Sequence, residues 1–141
     1  MTDVRRQGCV WLLIAALAGA GGCATPPTTP TVTPTIQTLV FSSRLTAGGT
    51  VWKSFNVPST GNVTVRLALL TPDDTLVVRI GLGTFDGTTC TPFITADTGT
   101  NDTDPQITYA AAVGRYCVQI SDIGNLTRIN DFGIFVVLPA A

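Results

Sequence analysis

Apolar and polar residues alternate along much of this chain with a period of two. Four stretches carry this pattern, with apolar positions at Val63, Val65, Leu67 and Leu69; at Leu76, Val78, Ile80 and Leu82; at Tyr116, Val118 and Ile120; and at Phe132, Ile134, Val136 and Leu138. This alternation is typical of a β-strand with one buried face. No segment sustains the 3.6-residue apolar period of a helix, so the sequence predicts an all-β fold.

Seven strands are predicted between turn-forming segments rich in Gly, Pro, Asn and Asp. They are Ile36–Ser42, Val51–Val57, Val63–Leu70, Leu76–Leu82, Gln106–Ala110, Arg115–Ser121 and Phe132–Leu138. About seven to eight short strands favour an antiparallel β-sandwich, with a small β-barrel as the alternative. Trp52 and Lys53 disturb the alternation of the second strand, and a bulge or an edge strand would explain that.

Composition limits the function. Charged residues make up only 12% of the chain, against about 25% in ordinary soluble domains. The net charge of −1 gives no basic excess for binding nucleic acid. There is no His and no Glu, and Lys53 is the only lysine, so a histidine triad or an imidazole metal site is impossible.

The N-terminus predicts export. Arg5 and Arg6 precede an apolar run, Val10–Ala20, of about half the roughly 20 residues that a helix needs to span a bilayer. This is the pattern of a signal peptide, which we place at residues 1–22. Residues 36–141 then form the single folded domain.

Two cleavage sites are open. The tetrad Ala20-Gly21-Gly22-Cys23 is similar to the lipobox of bacterial lipoproteins and predicts lipidation of Cys23, although Ala20 stands where Leu is usual. The alternative is an ordinary site at Ala18-Gly19-Ala20, which would leave Cys23 as a lone thiol in an oxidising compartment. We favour lipidation, followed by a Thr- and Pro-rich tether through residue 35 that reaches up to about 37 Å.

Cys90 and Cys117 are the cysteines that remain for the folded domain, and in an exported chain we expect them to form a disulfide. Cys117 alternates with Tyr116 and Val118, so it points away from the main core. Cys90 lies in 83–104, which is predicted to be a long loop. A redox or metal pair would need a C-x-x-C spacing that is absent.

Several strand motifs resemble the bacterial pre-peptidase C-terminal domains, which are small exported β-sandwiches. The motifs are WKSFNV at 52–57, GNVTVRL at 61–67, DTLVV at 74–78, GRYCVQISD at 114–122 and DFGIFVV at 131–137. The resemblance covers roughly residues 50–138 and implies a β-sandwich fold and export. Cys117 stands where that family usually has another residue, and a role beside a peptidase is not implied.

Candidate chemistry is sparse. Ser54 and Lys53 are neighbours on a strand, so they point to opposite faces and cannot form a dyad. Asp73 and Asp74 have the spacing of ordinary turn residues. Asp97, Asn101, Asp102 and Asp104 offer oxygen ligands of the kind that Ca²⁺ prefers. A solvated polar loop is the favoured reading of these four, with calcium affinity at most in the millimolar range.

Trp52, Phe85 and Phe93 are expected to close the ends of the core, or alternatively to form an exposed patch that stacks on sugars. We therefore expect a non-catalytic, lipid-anchored β-sandwich of the bacterial cell envelope, at the outer membrane or cell surface. It would act as a binding or structural module for an unknown envelope protein or glycan. The alternatives are an accessory domain that binds carbohydrate or peptide for an exported enzyme system, and more remotely a small hydrolase.

Overall fold

The computed structural model describes residues 35–141, and these form eight β-strands. The strands are β1 (Ile36–Leu45), β2 (Thr50–Val57), β3 (Gly61–Thr71), β4 (Val78–Phe85), β5 (Cys90–Thr98), β6 (Ile107–Ala111), β7 (Gly114–Ser121) and β8 (Asn130–Pro139). The predicted signal peptide at residues 1–22, the predicted lipidation site Cys23 and the predicted tether up to residue 34 lie outside the described residues. Residues 35–141 contain no helix long and apolar enough to cross a membrane.

The strands form two four-stranded sheets, in which every pairing is antiparallel. The first sheet has the order β1-β8-β3-β6 and the second has the order β2-β7-β4-β5. The sheets pack face to face and do not close into a barrel, so the predicted β-sandwich is confirmed. Each sheet ends in two edge strands, β1 and β6 in the first and β2 and β5 in the second.

The core lies between the sheets and is built by the alternation seen in the sequence. The predicted inward residues of β4, β7 and β8 are buried. They are Val78, Ile80 and Leu82; Tyr116, Val118 and Ile120; and Phe132, Ile134, Val136 and Leu138. Because burying one such side chain stabilises the fold by about 1.5–3 kcal/mol, this shared apolar face is the main reason that the strands stack as two layers.

The prediction for β3 is wrong at its end. Val63, Val65 and Leu67 are buried as expected, but Leu69 is 46% exposed and Leu70 is buried in its place. The register with β8 shifts between Leu67 and Leu69, so Ala68 has no partner and the strand contains a bulge. One extra residue reverses the inward and outward positions that follow it.

A second correction concerns the segment 83–104, which was predicted to be a loop. Its residues Cys90–Thr98 form β5, an edge strand paired along its length with β4. Its inward residues, Ile94, Ala96 and Thr98, alternate too weakly in hydrophobicity to give a strand signal, and Pro92 argued against one. Its pairing with β4, across the short hairpin loop 86–89, makes this segment a strand.

Candidate functional site

The disulfide between Cys90 and Cys117 is present, with the two Cα atoms 5.7 Å apart. It joins β5 to β7, the strands on either side of β4, so it fastens an edge strand rather than the predicted loop. Cys117 lies outside the main core cluster, as expected, yet it is fully buried. Gly83 is paired with Cys117 in the intervening strand, and a Cβ there would collide with the Thr91 carbonyl oxygen. Glycine is therefore required at position 83, where the β5 backbone leaves no room for a side chain.

The acidic residues predicted as calcium ligands are not gathered by the fold. Asp97 lies on β5 and accepts two hydrogen bonds from Arg79 on β4, Nε to Oδ1 at 2.6 Å and Nη2 to Oδ2 at 2.8 Å. These bonds hold the pKa of Asp97 below its ordinary value. Asn101, Asp102 and Asp104 lie in the exposed loop beyond the strand. Within residues 35–141 no group of three or more His, Cys, Asp or Glu side chains could hold a metal ion.

Asp73, the first of the two predicted turn carboxylates, belongs to a structural network. Arg128 forms a two-pronged ion pair with it, and the fully buried Asn130 accepts a hydrogen bond from its backbone N–H at 3.0 Å. The Arg128 guanidinium lowers the pKa of Asp73, partial burial acts against that effect, and Asn130 reinforces it. This carboxylate therefore links the turn after β3 to the start of β8.

The three aromatic residues of the predicted core closure do not act together. Trp52 and Phe85 extend from the strands on either side of β7, and their ring centroids are 5.3 Å apart. The Arg115 guanidinium lies 4.8 Å from the Phe85 ring, in a cation–π contact. Phe93 instead contacts Tyr109 on β6, at 4.9 Å between centroids. Trp52 and Phe93 are 40% and 44% exposed, so assigning them to the core was wrong.

Three of the four edge strands carry features that disfavour pairing with another chain. On β2, Lys53 occupies a core-facing position, opposite Val118, and places its charge at the open side of the sandwich. On β5, Pro92 and a bulge at Phe93 interrupt the edge. The remaining strand, β6, is only five residues long. Inward charges, prolines, bulges and shortness are the usual means by which edge strands avoid unwanted pairing.

The fourth edge strand, β1, carries none of these features over most of its length. It is ten residues long, and its register with β8 continues through all ten pairs without a shift. Ile36–Ser43 contains no charged residue, proline or glycine. Val40 is 57% exposed at the middle of the strand. The sequence signal for this edge was available, as an uncharged run after the tether, but only the strand order shows that β1 lies at an edge.

An apolar slot of about 110 Å³ opens beside β1, where the edges of the two sheets meet. Its walls include Leu39, Phe41, Lys53, Phe55, Val118 and Val136. Cavities of roughly 150 Å³ hold one benzene-sized group, whereas pockets for small-molecule ligands measure about 300–1,000 Å³. The slot therefore has room for one apolar side chain rather than for a whole ligand.

Lys53 lies across this slot. Its Nζ is 5.8 Å from the centre of the Phe41 ring, and it forms no ion pair with any residue between 35 and 141. The lysine thus protects the β2 edge of the slot and leaves β1 beside it unprotected.

No protein-family model matches this chain, and no curated protein matches it. The resemblance to the pre-peptidase C-terminal domains therefore stays a prediction from the strand motifs, and the candidate site stands on its geometry alone.

Proposed function

We propose that this protein is a non-catalytic, lipid-anchored module of the bacterial cell envelope that binds an extended polypeptide strand along β1. The observation that carries the proposal is the unprotected edge of β1, in a sandwich whose other three edge strands are protected. Three edge strands have features that disfavour pairing, and the longest regular one has none. This is best explained if β1 pairs with another strand.

The chemistry of a strand edge defines its ligand. The side of β1 that faces away from β8 presents backbone N–H and C=O groups at regular intervals along ten residues. Only another extended polypeptide can pair with such a row, as in partner-strand addition to exposed sheet edges. The main-chain bonds supply affinity, and the slot beside Leu39 and Phe41 would select an apolar side chain at one position of the incoming strand.

The arrangement of carboxylates supports a non-catalytic role. Asp73 and Asp97 are each held by an arginine, and Asp122 accepts hydrogen bonds from four backbone N–H groups. General acid–base catalysis needs a group within hydrogen-bond reach of a substrate, with its pKa tuned towards neutrality. These three carboxylates have lowered pKa values and structural partners instead.

The anchor can be tested apart from the binding site. Lipidation of Cys23 would hold the domain at the outer membrane or cell surface by its tether. We expect Cys23→Ser to move the protein from the membrane fraction to the soluble fraction. Unchanged membrane association of this variant would remove the lipoprotein assignment and leave the β1 site untouched.

The strand-binding role is tested by photocrosslinking in intact envelopes. A photoreactive amino acid at Val40 on β1 should form a covalent adduct with a polypeptide. The matched control is Thr108, an exposed residue on β6, the other edge strand of the same sheet. Mass spectrometry should place the adduct on an extended segment of the captured chain. Absence of a Val40 adduct, or equal yield at both positions, would refute the proposal.

A second candidate function is carbohydrate binding on the outer face of the second sheet. The half-exposed Trp52, with Phe85 and Arg115 beside it, is a surface on which a sugar ring could stack. Trp52 is the only tryptophan after Trp11, so its fluorescence reports directly on this patch once the predicted signal peptide is removed. A spectral shift on adding envelope polysaccharide, lost in Trp52→Phe and kept in Phe93→Leu, would favour this alternative.

A further inference from the structure

We infer that the strand bound by β1 is the β1 strand of a second copy of this chain, paired antiparallel about a twofold axis at Val40. The inference rests on the proposed function, because it names the partner of the same edge. Pairing of this kind would join the two β1-β8-β3-β6 sheets into one continuous eight-stranded sheet.

The sequence of β1 is self-complementary about Val40. Reversing the segment QTLVFSS about its central valine places apolar residues opposite apolar residues and polar residues opposite polar ones. The pairs, first copy to second, are Val40–Val40, Leu39–Phe41, Thr38–Ser42 and Gln37–Ser43. Directly opposite residues in an antiparallel pair have Cβ atoms about 4.5–5.5 Å apart, so matching them is what stabilises one register over another.

The faces of the strand agree with this register. Directly opposite residues lie on the same face of a sheet, so a Val40-centred pair keeps both sandwiches on the same side. Val40 is exposed on the outer face and would be covered by its own copy, while Leu39 and Phe41 line the slot. In this register Leu39 of each copy would lie opposite Phe41 of the other, on the face of the strand that lines the slot.

The neighbouring registers that keep both sandwiches on the same side are worse. An axis at Leu39 would place Val40 opposite Thr38 and Phe41 opposite Gln37. An axis at Phe41 would place Val40 opposite Ser42 and Leu39 opposite Ser43. Each alternative sets two apolar residues against polar ones, so the strand specifies one register and one partner of matching pattern.

The charges on β1 itself also permit self-pairing. Like charges directly opposite each other destabilise a strand pair, and Ile36–Ser43 contributes none. The nearest charge on the strand, Arg44, lies 3.5 Å from Asp131 of β8, measured from Nε to Oδ1. In the Val40-centred register Arg44 would lie opposite Ile36 rather than opposite a second arginine.

The test uses single cysteine variants of the full chain in intact membranes, treated with a short bismaleimide. We expect a dimer band with Val40→Cys, on the axis, and a weaker one with Thr38→Cys, two residues away. Co-expressed Thr38→Cys and Ser42→Cys chains should crosslink to each other. Thr108→Cys on β6 and the unsubstituted chain are the controls and should give no added dimer.

A second measurement breaks the pair. Val40→Lys places two like charges on the axis and should weaken dimerisation at least tenfold in analytical ultracentrifugation of the full chain in mild detergent. Thr108→Lys should leave dimerisation unchanged. Because Val40 and Thr108 are both exposed, neither variant should change the melting temperature of the single domain.

The outcomes separate this inference from the proposed function. A single-copy mass, together with a β1 photo-adduct to a different polypeptide, would overturn the second-copy partner and keep the strand-binding role. A single-copy mass with no adduct would overturn both. A dimer that survives Val40→Lys, or crosslinks better through Thr108, would place the interface elsewhere and overturn the inference.

Discussion

The sandwich has two open sides, and they are treated differently. On the side of β5 and β6, Phe93 contacts Tyr109, which in turn contacts Tyr116, so aromatic rings bridge the two sheets. The Cys90–Cys117 disulfide links β5 to β7 within the second sheet. On the side of β1 and β2, an apolar slot reaches Val118 and Val136, and the bare edge of β1 runs beside it.

The two sides of the sandwich therefore differ in how far they are closed. The β5 side is held by a disulfide and by ring contacts, and its strand is interrupted by Pro92 and a bulge. On the β1 side, β1 is a regular strand, and β2 beside it is protected by one inward charge, that of Lys53. If β1 exists to receive a strand, a regular and unprotected edge is what that task requires.

Removing the disulfide on the β5 side should have the largest effect on stability. The disulfide closes a chain loop of about 28 residues, so losing it should lower the free energy of unfolding by about 3.5 kcal/mol. We expect this for Cys90→Ala combined with Cys117→Ala in urea denaturation, and no free thiol at Cys90 or Cys117 in the native parent. Val40→Lys on the open side serves as the comparison and should leave monomer stability within about 0.5 kcal/mol. Reactive thiols at Cys90 and Cys117 in the native protein would show that the disulfide does not form.

Acid should lower the free energy of unfolding and should leave strand pairing at β1 unchanged. The Asp122 carboxylate accepts hydrogen bonds from Gly48 at 2.7 Å and from Gly124, Asn125 and Leu126 at 2.9–3.1 Å. The bond from Gly48 is the main cause of its lowered pKa, opposed by partial burial and reinforced by the other three.

Because this pKa is lowered on folding, the stabilisation is present above the unfolded value near 3.9 and is lost as the pH falls through the folded value. Asp122→Asn should cost about 1–2 kcal/mol at neutral pH, with the difference from wild type shrinking in acid. Self-association through β1 should be unchanged between pH 4 and 7, since Ile36–Ser43 has no titratable group. A difference that stays constant down to pH 2 would refute the role given to Asp122.

Removing the inward charge should create a second bare edge. In Lys53→Ile the monomer stability should change by about 0.5 kcal/mol or less, because the lysine is exposed and unpaired among the described residues. Light scattering at constant temperature should nevertheless show faster aggregation, since β2 would lose its protection. Lys53→Arg keeps the charge and should behave like wild type. Equal aggregation of the Ile and Arg variants would show that Lys53 does not protect β2.

The smallest expected effect is that of calcium. Asp97 is already bound by Arg79, which leaves the exposed loop after β5 with two carboxylates. We predict no thermal stabilisation below about 1 mM calcium, as for a weak extracellular site. A clear shift at ten micromolar calcium, abolished by Asp102→Asn with Asp104→Asn, would contradict this and would show that the loop rearranges to bind.

The regular parts of the fold could be predicted because buried strands carry their burial pattern in the sequence. All seven predicted strands lie within about three residues of the observed bounds, and the largest differences are at the ends of the first and fourth, which reach Leu45 and Phe85. The strand prediction fails where pairing with a neighbouring strand sets the local structure. An unpaired Ala68 exchanges the environments of Leu69 and Leu70, and β5 becomes a strand only through its pairing with β4.

The all-β fold, with a two-layer sandwich as its favoured form, the cysteine pair and the uncharged, self-complementary run centred on Val40 all follow from the sequence alone. Local periodicity and residue chemistry are enough for these, because they depend on near neighbours along the chain. Three features needed the folded structure: which strands are edges, the separate surfaces of Trp52 and Phe93, and the pairing of Asp97 with Arg79. Strand order and register depend on contacts between residues far apart in sequence, and no local pattern encodes which strand is left without a neighbour.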